Sequence, residues 1–207
     1  MLVGMKGLRN PDQTRQTILE AAFHEIHRNG FQAASLSNIL AKTGVTKGAL
    51  YHHFPNKMAL GYAIVDELIQ NMVTEMWLRP LETSEDPIEC LQGMLRLIPT
   101  QLKDQDILLG CPLNNLALEM SPTDEVFRKR ISQVYDLWCE GLADAFSKGQ
   151  VNGKVNRNID PLKTATFIVA SLAGCRSVAK NSQSQSIMLA CTESLLNYLD
   201  TLRPRTE

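Results

Sequence analysis

Between Gly44 and Lys57 the chain reads GVTKGALYHHFPNK. Lys47, Tyr51, His52 and His53 crowd an ammonium, a phenol and two imidazoles together, beside a glycine, Gly48, that leaves the backbone bare. Groups of this kind suit phosphate oxygens and the acceptor edge of guanine. The other reactive side chains are five cysteines, Cys90, Cys111, Cys139, Cys175 and Cys191. None forms a C-x-x-C pair, the number is odd, and the opening MLVGMKGLRNPDQ has no apolar leader. Free thiols in a reducing cytoplasm are therefore expected. His24 and His27 stand three apart with no third ligand in sequence and no H-E-x-x-H pattern. His52 and His53 are neighbours, so on a helix they point about 100° apart and chelate poorly. No Ser-His-Asp, P-loop or paired-metal pattern is present, and all four histidines fall within residues 1–60. No catalytic residue, metal or cofactor is expected.

The whole chain has 207 residues, 44% hydrophobic and 21% charged, which is an ordinary globular composition. The net charge of -1 hides an asymmetry: residues 1–60 carry seven Lys/Arg against three Asp/Glu, the remainder fourteen against nineteen. A basic front on an acidic body fits a small nucleic-acid-binding head on a different module. The most apolar run, Ala165 to Cys175, is interrupted by Thr166 and Ser171. It falls short of the ~20 residues a membrane span needs, so no membrane partner is expected.

The elements that must position these residues are helical throughout, because apolar residues recur at i, i+3, i+4 and i+7 and no window alternates. Asn10 caps a helix with Pro11 in its first turn, which stacks Ile18, Ala22 and Ile26 and stops at Gly30. Ser35 caps a short helix that Gly44 ends, and Thr46 caps the next, stopped by Pro55. Asn56 caps a fourth, longer helix running to about Arg79-Pro80. Further helices are expected near 87–103, 112–120, 123–149, 160–181 and 184–202. The expectation is an all-α chain of about nine helices: a three-helix head over residues 10–56 and a larger body over 57–207.

Two short helices joined by a glycine-bearing turn make a helix-turn-helix, here about residues 35–54, whose second helix enters the major groove. Leu50 and Phe54, four apart, share a face that with Val45, Ile39 and Leu36 anchors this helix. Lys47, Gly48, Tyr51 and His52 take the other side. Ser35 and Lys57 open the flanking helices and aim amides at phosphates. The stretch TRQTILEAAFHEIHRNGFQAASLSNILAKTGVTKGALYHHFPNKMAL resembles the DNA-binding head of the TetR family of bacterial transcriptional repressors, over about residues 12–60. The resemblance implies a homodimer with two heads on a palindromic double-stranded operator, released when a small-molecule inducer in the body changes their spacing. By matching position it gives the DNA-contact role to Ser35, Ser37, Thr46, Lys47, Gly48, Ala49, Tyr51, His52, His53 and Lys57. Ser37 departs from the long charged residue common there, and Leu40 from a common alanine.

In the body, GCPLNNLALEM followed by DEVFRKRISQVYDLWCEGLADAF is similar to a subgroup whose sixth helix starts with Gly-Cys, and in some relatives that cysteine senses electrophiles or oxidants. Cys111 matches it. Two readings stand: a sensor thiol favoured by a helix dipole, or a small apolar residue near a pocket mouth, the second preferred because reactivity also needs exposure. A ligand cavity between helices is expected to draw on Met72, Met76, Trp77, Met94, Leu97, Leu116, Met120, Phe127, Ile131, Val134, Tyr135 and Trp138 beside Cys111, with Asn114, Asn115 and Glu119 as its polar groups. Ordinary core packing is the competing reading of each. The last two helices mix small residues with Phe167, Ile168, Ser171, Leu172, Gly174, Cys175, Leu195 and Leu199, which the resemblance assigns to a dimer interface and plain packing would keep within one subunit. The rival to a DNA-binding regulator is an enzyme or small-molecule binding protein using the body pocket.

Overall fold

The computed structural model describes residues 11–101 and 103–204. Among these every regular element is helical and no strand occurs. Two compact units are separated at Leu68/Ile69.

The first unit is a three-helix arrangement with a following segment. Helix α1 (Pro11–Asn29) buries Ile18, Leu19, Ala22 and Ile26. Its expected cap, Asn10, lies outside the described residues. Gly30, at φ 81°, turns the chain out of the helix and donates back to the Ile26 carbonyl at 2.8 Å. Helix α2 (Leu36–Thr43) starts at Ser35, whose hydroxyl accepts from the Asn38 amide, and ends at Gly44 in the left-handed conformation. Helix α3 (Lys47–His53) starts at Thr46, whose hydroxyl accepts from the Ala49 amide, and ends where Phe54 turns extended before Pro55. Helix α4 (Lys57–Ala63) is capped by Asn56 and runs into a π-helical turn over Ile64–Ile69. The sequence suggested a junction after Asn56; the compact unit reaches Leu68 because Leu60, Ile64 and Val65 are buried and Glu67 makes a two-pronged ion pair with Arg15.

One polar residue sits in this core. Glu25 is 1% exposed, and its carboxylate accepts from the Lys42 ammonium at 2.7 Å and the Asn38 side-chain amide at 2.8 Å. A buried carboxylate is costly unless paired and hydrogen-bonded, and here one group ties α1 to α2. These bonds, Lys42 first and Asn38 second, hold its pKa down at about 2.

In the second unit, α5 (Gln70–Val73), a π turn (Thr74–Leu78) and α6 (Arg79–Glu82) follow without a break. Pro80 was expected to stop this helix. It does not, because the π register moves the Arg79 amide onto the Thr74 carbonyl, and a proline just after such a turn has no ladder bond to lose. Next come α7 (Pro87–Gln101), α8 (Asp104–Leu109), α9 (Pro112–Met120), α10 (Glu125–Val151), α11 (Pro161–Ser182) and α12 (Gln185–Thr201). Helix α8 falls between the helices expected near 87–103 and 112–120 and was not anticipated. Helix α10 carries an apolar stripe: Phe127, Ile131, Val134, Trp138, Leu142 and Ala145 are all buried. At Gly141 an added Cβ would lie 2.6 Å from a terminal methyl of Leu78, so a larger residue there would have to displace that side chain. Helix α7 is fastened to α12 by buried Gln92, which donates to the Asp200 carboxylate at 2.8 Å.

The cysteine expectation needs one correction. Cys175 and Cys191 are joined as a disulfide between α11 and α12, with Cα atoms 6.1 Å apart, while Cys90, Cys111 and Cys139 are free. The two residues are equidistant in sequence from Gln183, where the chain reverses, so an antiparallel helix pair brings them face to face. No sequence spacing rule reports that.

Because the Glu25 pKa is depressed on folding, its contribution is complete above the unfolded value near 4.5 and disappears as pH falls towards 2. That contribution is about 3 kcal/mol at neutral pH. Glu25→Gln is expected to destabilise the first unit at pH 7 and to flatten its acid limb between pH 5 and 2, read by urea unfolding monitored by circular dichroism at several pH values. An unaltered acid limb would refute the assignment.

Candidate nucleic-acid interface

Helix α3 is seven residues long and presents two faces. Leu50 and Phe54 are buried, 1% and 2% exposed, and Val45 and Ile39 are buried with them. Leu36, expected in this anchor, is only half-buried. On the other face Lys47, Gly48, Tyr51 and His52 are exposed. The space around Gly48 is open, with no atom within 4 Å of where a Cβ would stand. The Lys47 ammonium hovers 5.9 Å from the Tyr51 ring centroid, and the His52 and His53 rings meet edge to face at 5.2 Å. Cationic and hydrogen-bonding groups are thus gathered on one solvent-facing strip, suited to phosphate and base-edge contacts.

The other residues expected at this interface are placed less uniformly. Ser37 and Thr46 are exposed, and Ser35, Ala49 and His53 are half-buried. The Ser35 and Thr46 hydroxyl oxygens are occupied as helix caps, at 3.4 and 3.2 Å, which leaves their O–H groups to donate outward. Lys57 is turned back: its ammonium donates to the Gln32 carbonyl at 3.0 Å and lies 5.1 Å from the Phe31 ring centroid. Its side chain braces the turn after α1. Glu25, which the sequence reading passed over, sets the position of α2 from beneath. The signal was present, since Glu25 falls on the buried Ile18, Ala22, Ile26 face of α1.

In the body, the expected cavity residues divide. Trp77, Leu116, Met120, Phe127, Ile131, Val134 and Trp138 are buried, with the Trp77 and Trp138 rings 5.3 Å apart. Met94 is half-buried, whereas Met72, Met76 and Leu97 are exposed and stand outside this cluster. The apolar type of Met72 and Met76 suggested an inner face, but the π turns on either side hold more residues per turn than the 3.6-residue period assumes and so shift the buried face; Leu97 lies on α7, which has no such turn. The Trp138 indole N–H is buried with no acceptor among the described residues.

A polar cluster occupies the junction of α9, α10 and α11. The Tyr135 hydroxyl donates to the Asn114 side-chain oxygen at 3.4 Å, and the Asn114 amide donates to Ser177 at 2.6 Å. Burial raises the Tyr135 phenol pKa, with Cys111 and Cys139 adding to the shift. Asn115 donates to the Leu109 carbonyl and accepts from Lys180 at 3.1 Å, so it closes the end of α8. Cys111 sits half-buried at the start of α9, and Glu119 is half-buried on the same helix. Ser177 and Lys180, three apart on α11, complete this cluster and were not anticipated. A narrow crevice is lined by Asp106, Ile107, Gly110, Arg176, Ala179 and Met188, none of which was expected to line a cavity.

The residues expected to meet a second subunit also divide. Ile168, Leu172, Leu195 and Leu199 are buried within the single chain, where they pack its own helices. Cys175 turns to Cys191 of the same chain. Ser171 is half-buried, while Gly174 is exposed and Phe167 is 52% exposed with its ring edge-on to Tyr198 at 4.8 Å. Among the described residues no helix is long and apolar enough to cross a membrane.

Two family models match this chain. One, described as bacterial regulatory proteins of the tetR family, covers residues 18–64. The other, described as the C-terminal domain of LmrA/YxaF-like transcriptional regulators, covers residues 87–194. The chain is 26% identical over 160 residues to the HTH-type transcriptional repressor DhaR of a Mycobacterium species, spanning 77% of this chain and 79% of that protein. It is 32% identical over 155 residues to the HTH-type transcriptional regulator TtgR of Pseudomonas putida, spanning 70% and 71%. A solved TetR transcriptional regulator from Chloroflexus aurantiacus shares the fold, with a TM-score of 0.82 at 23% identity over 94% of this chain and 98% of that one. The exposed strip on α3 therefore stands in a head, and beside a body, that both match the same group of proteins, and the chain belongs to the TetR family of transcriptional regulators.

Proposed function

We propose that this protein is a dimeric repressor that binds a palindromic operator through α3 and leaves it when a small molecule occupies the body. The observation that carries the reading is the two-faced α3, with Leu50 and Phe54 locked inward and Lys47, Gly48, Tyr51 and His52 free to meet a major groove. Ser35, Ser37, Thr46, Ala49 and His53 flank that strip and add phosphate contacts, while Lys57 acts through the turn it braces. Repression is supported by a relative, DhaR, that is itself named a repressor. Ligand response is supported by the Trp138 N–H, a buried donor awaiting an acceptor, beside Trp77. An inducer with an oxygen acceptor and a flat apolar surface fits that donor. Release then follows from population shift: DNA and inducer each select a different state.

A head of this kind reads one half-site, and two half-sites roughly 34–36 Å apart call for a dimer. Exposed Phe167, Ala170, Gly174 and Val178 form a stripe along α11, next to exposed Leu189 and Ala190 on α12. The stripe supports a second copy as its cover, since small residues let helices approach and large ones fill the seam. Phe167→Glu is expected to shift the protein towards monomer in analytical ultracentrifugation, and an unchanged dimer would move the interface elsewhere.

Selection of bound sequences from a random DNA pool at fixed salt is expected to return a palindrome. On that site Lys47→Ala and Tyr51→Phe are each expected to weaken binding by about tenfold, with thermal stability unchanged because both side chains are exposed. Undiminished affinity would show that α3 does not carry the recognition face. Uniform binding across random DNA would exclude a specific reader.

A further inference from the structure

The disulfide between α11 and α12 is unexpected in a body of this size. Nothing in the fold requires a staple: α10 alone buries Phe127, Ile131, Val134, Trp138, Leu142 and Phe146, and a chain this long has core enough without one. Three other cysteines stay free. Cys175 and Cys191 lie on the stripes by which the two helices face each other, Cys175 between Leu172 and Ala179, Cys191 between Met188 and Leu195. Both residues are half-buried. A separate small cluster of Ile107, Ala179 and Met188, with Ile98, Ile187 and Cys175 packed on it, holds α8 against the α11–α12 turn. Arg176, next to Cys175, donates to the carbonyls of Asp106 and Gly110 at 3.4 and 3.2 Å and seals the end of α8.

We propose that Cys175 and Cys191 are a reversible oxidation site, closed by a peroxide and reopened by a dithiol, that sets the rigidity of the end of the body where α8, α11 and α12 meet. Closure is a two-electron step. The thiolate of one cysteine attacks the peroxide, giving a sulfenic acid and one water from hydrogen peroxide. The second thiol attacks that sulfur, expelling a second water and forming the S–S bond. Both sulfurs are oxidised, the peroxide is reduced, and the two thiol protons end in water. Reopening passes the bond to a dithiol by exchange. Selectivity comes from proximity: each of the two sulfurs has its resolving partner in contact, whereas burial raises the thiol pKa of Cys90 and of Cys139 and so disfavours their thiolates. The bond closes a loop with a sequence separation of 16, which restricts the unfolded chain and ties the α11–α12 turn to the α8 cluster. This inference is independent of operator and inducer.

The test uses the full-length protein, reduced with dithiothreitol and then treated with stoichiometric hydrogen peroxide. Alkylation followed by peptide mass spectrometry is expected to find Cys175 joined to Cys191 within one chain, with Cys90, Cys111 and Cys139 still alkylated. Dithiothreitol under native conditions should restore both thiols. The oxidised form should melt roughly 5–10 °C above the reduced form, with faster amide exchange in 104–110 and 183–191 after reduction. Cys191→Ser and Cys175→Ser should each abolish the cross-link and the shift, and Cys111→Ser should abolish neither. Cross-linking between chains, a bond that native dithiothreitol does not open, or equal melting of the two forms would each overturn the proposal.

Discussion

A helix of seven residues does not persist alone in water, because its nucleation cost exceeds what two turns of hydrogen bonds return. Everything the first unit can do depends on meeting that constraint for α3. Its N-terminus is closed by Thr46 and its C-terminus by Phe54, and its inner face is held by Leu50 and Phe54 in the core. Arg15 covers the far side of the Phe54 ring at 5.0 Å to the centroid while gripping Glu67. The outer face is then free of structural duty, which is why residues as different as Gly48, Tyr51 and His52 can sit there together. Helix α2 meets the same constraint by another route. It is barely longer and buries only Ile39 fully, so the charge of Glu25 supplies what apolar area cannot.

The body solves a different problem. Its long helices bury enough surface to be stable without special contacts, so departures from plain packing stand out. One is the π turn over Thr74–Leu78, and another is the close approach of α10 at Gly141, which brings it against Leu78 in that turn. The half-buried polar residues at the junction of α9, α10 and α11 are bonded in two sets, Tyr135–Asn114–Ser177 and Lys180–Asn115, so each polar side chain has a partner, as low-dielectric surroundings require. The indole N–H of Trp138 departs from that rule.

Much of this was legible in the sequence, and for stateable reasons. Glycine and proline positions, cap residues and period-3.6 stripes are local signals, and they placed α1 to α4 and the inner face of α1. The anchor residues Leu50 and Phe54 followed from i, i+4 spacing. What escaped was non-local or aperiodic. Pro80 passes through a helix because of a π register that no pattern announces. Met72 and Met76 lost their inward face to the same turns. Lys57 bends back to a carbonyl 25 positions earlier, and Cys175 meets Cys191 only because two helices reverse symmetrically about Gln183. Ile168, Leu172, Leu195 and Leu199 were readable as apolar, but sequence does not say whether an apolar stripe faces its own chain or another.

The pairing of Trp77 with Trp138 has a spectroscopic consequence. These are the chain's two tryptophans, and both belong to the second unit. Their emission and the coupled near-ultraviolet signal of their closely spaced, tilted rings therefore report on the body alone. The head, with no indole, melts silently at those wavelengths while its helices still register in the far ultraviolet. Two optical channels thus separate the two units without any label, and a gap between their transitions measures how strongly the head and body depend on one another for stability.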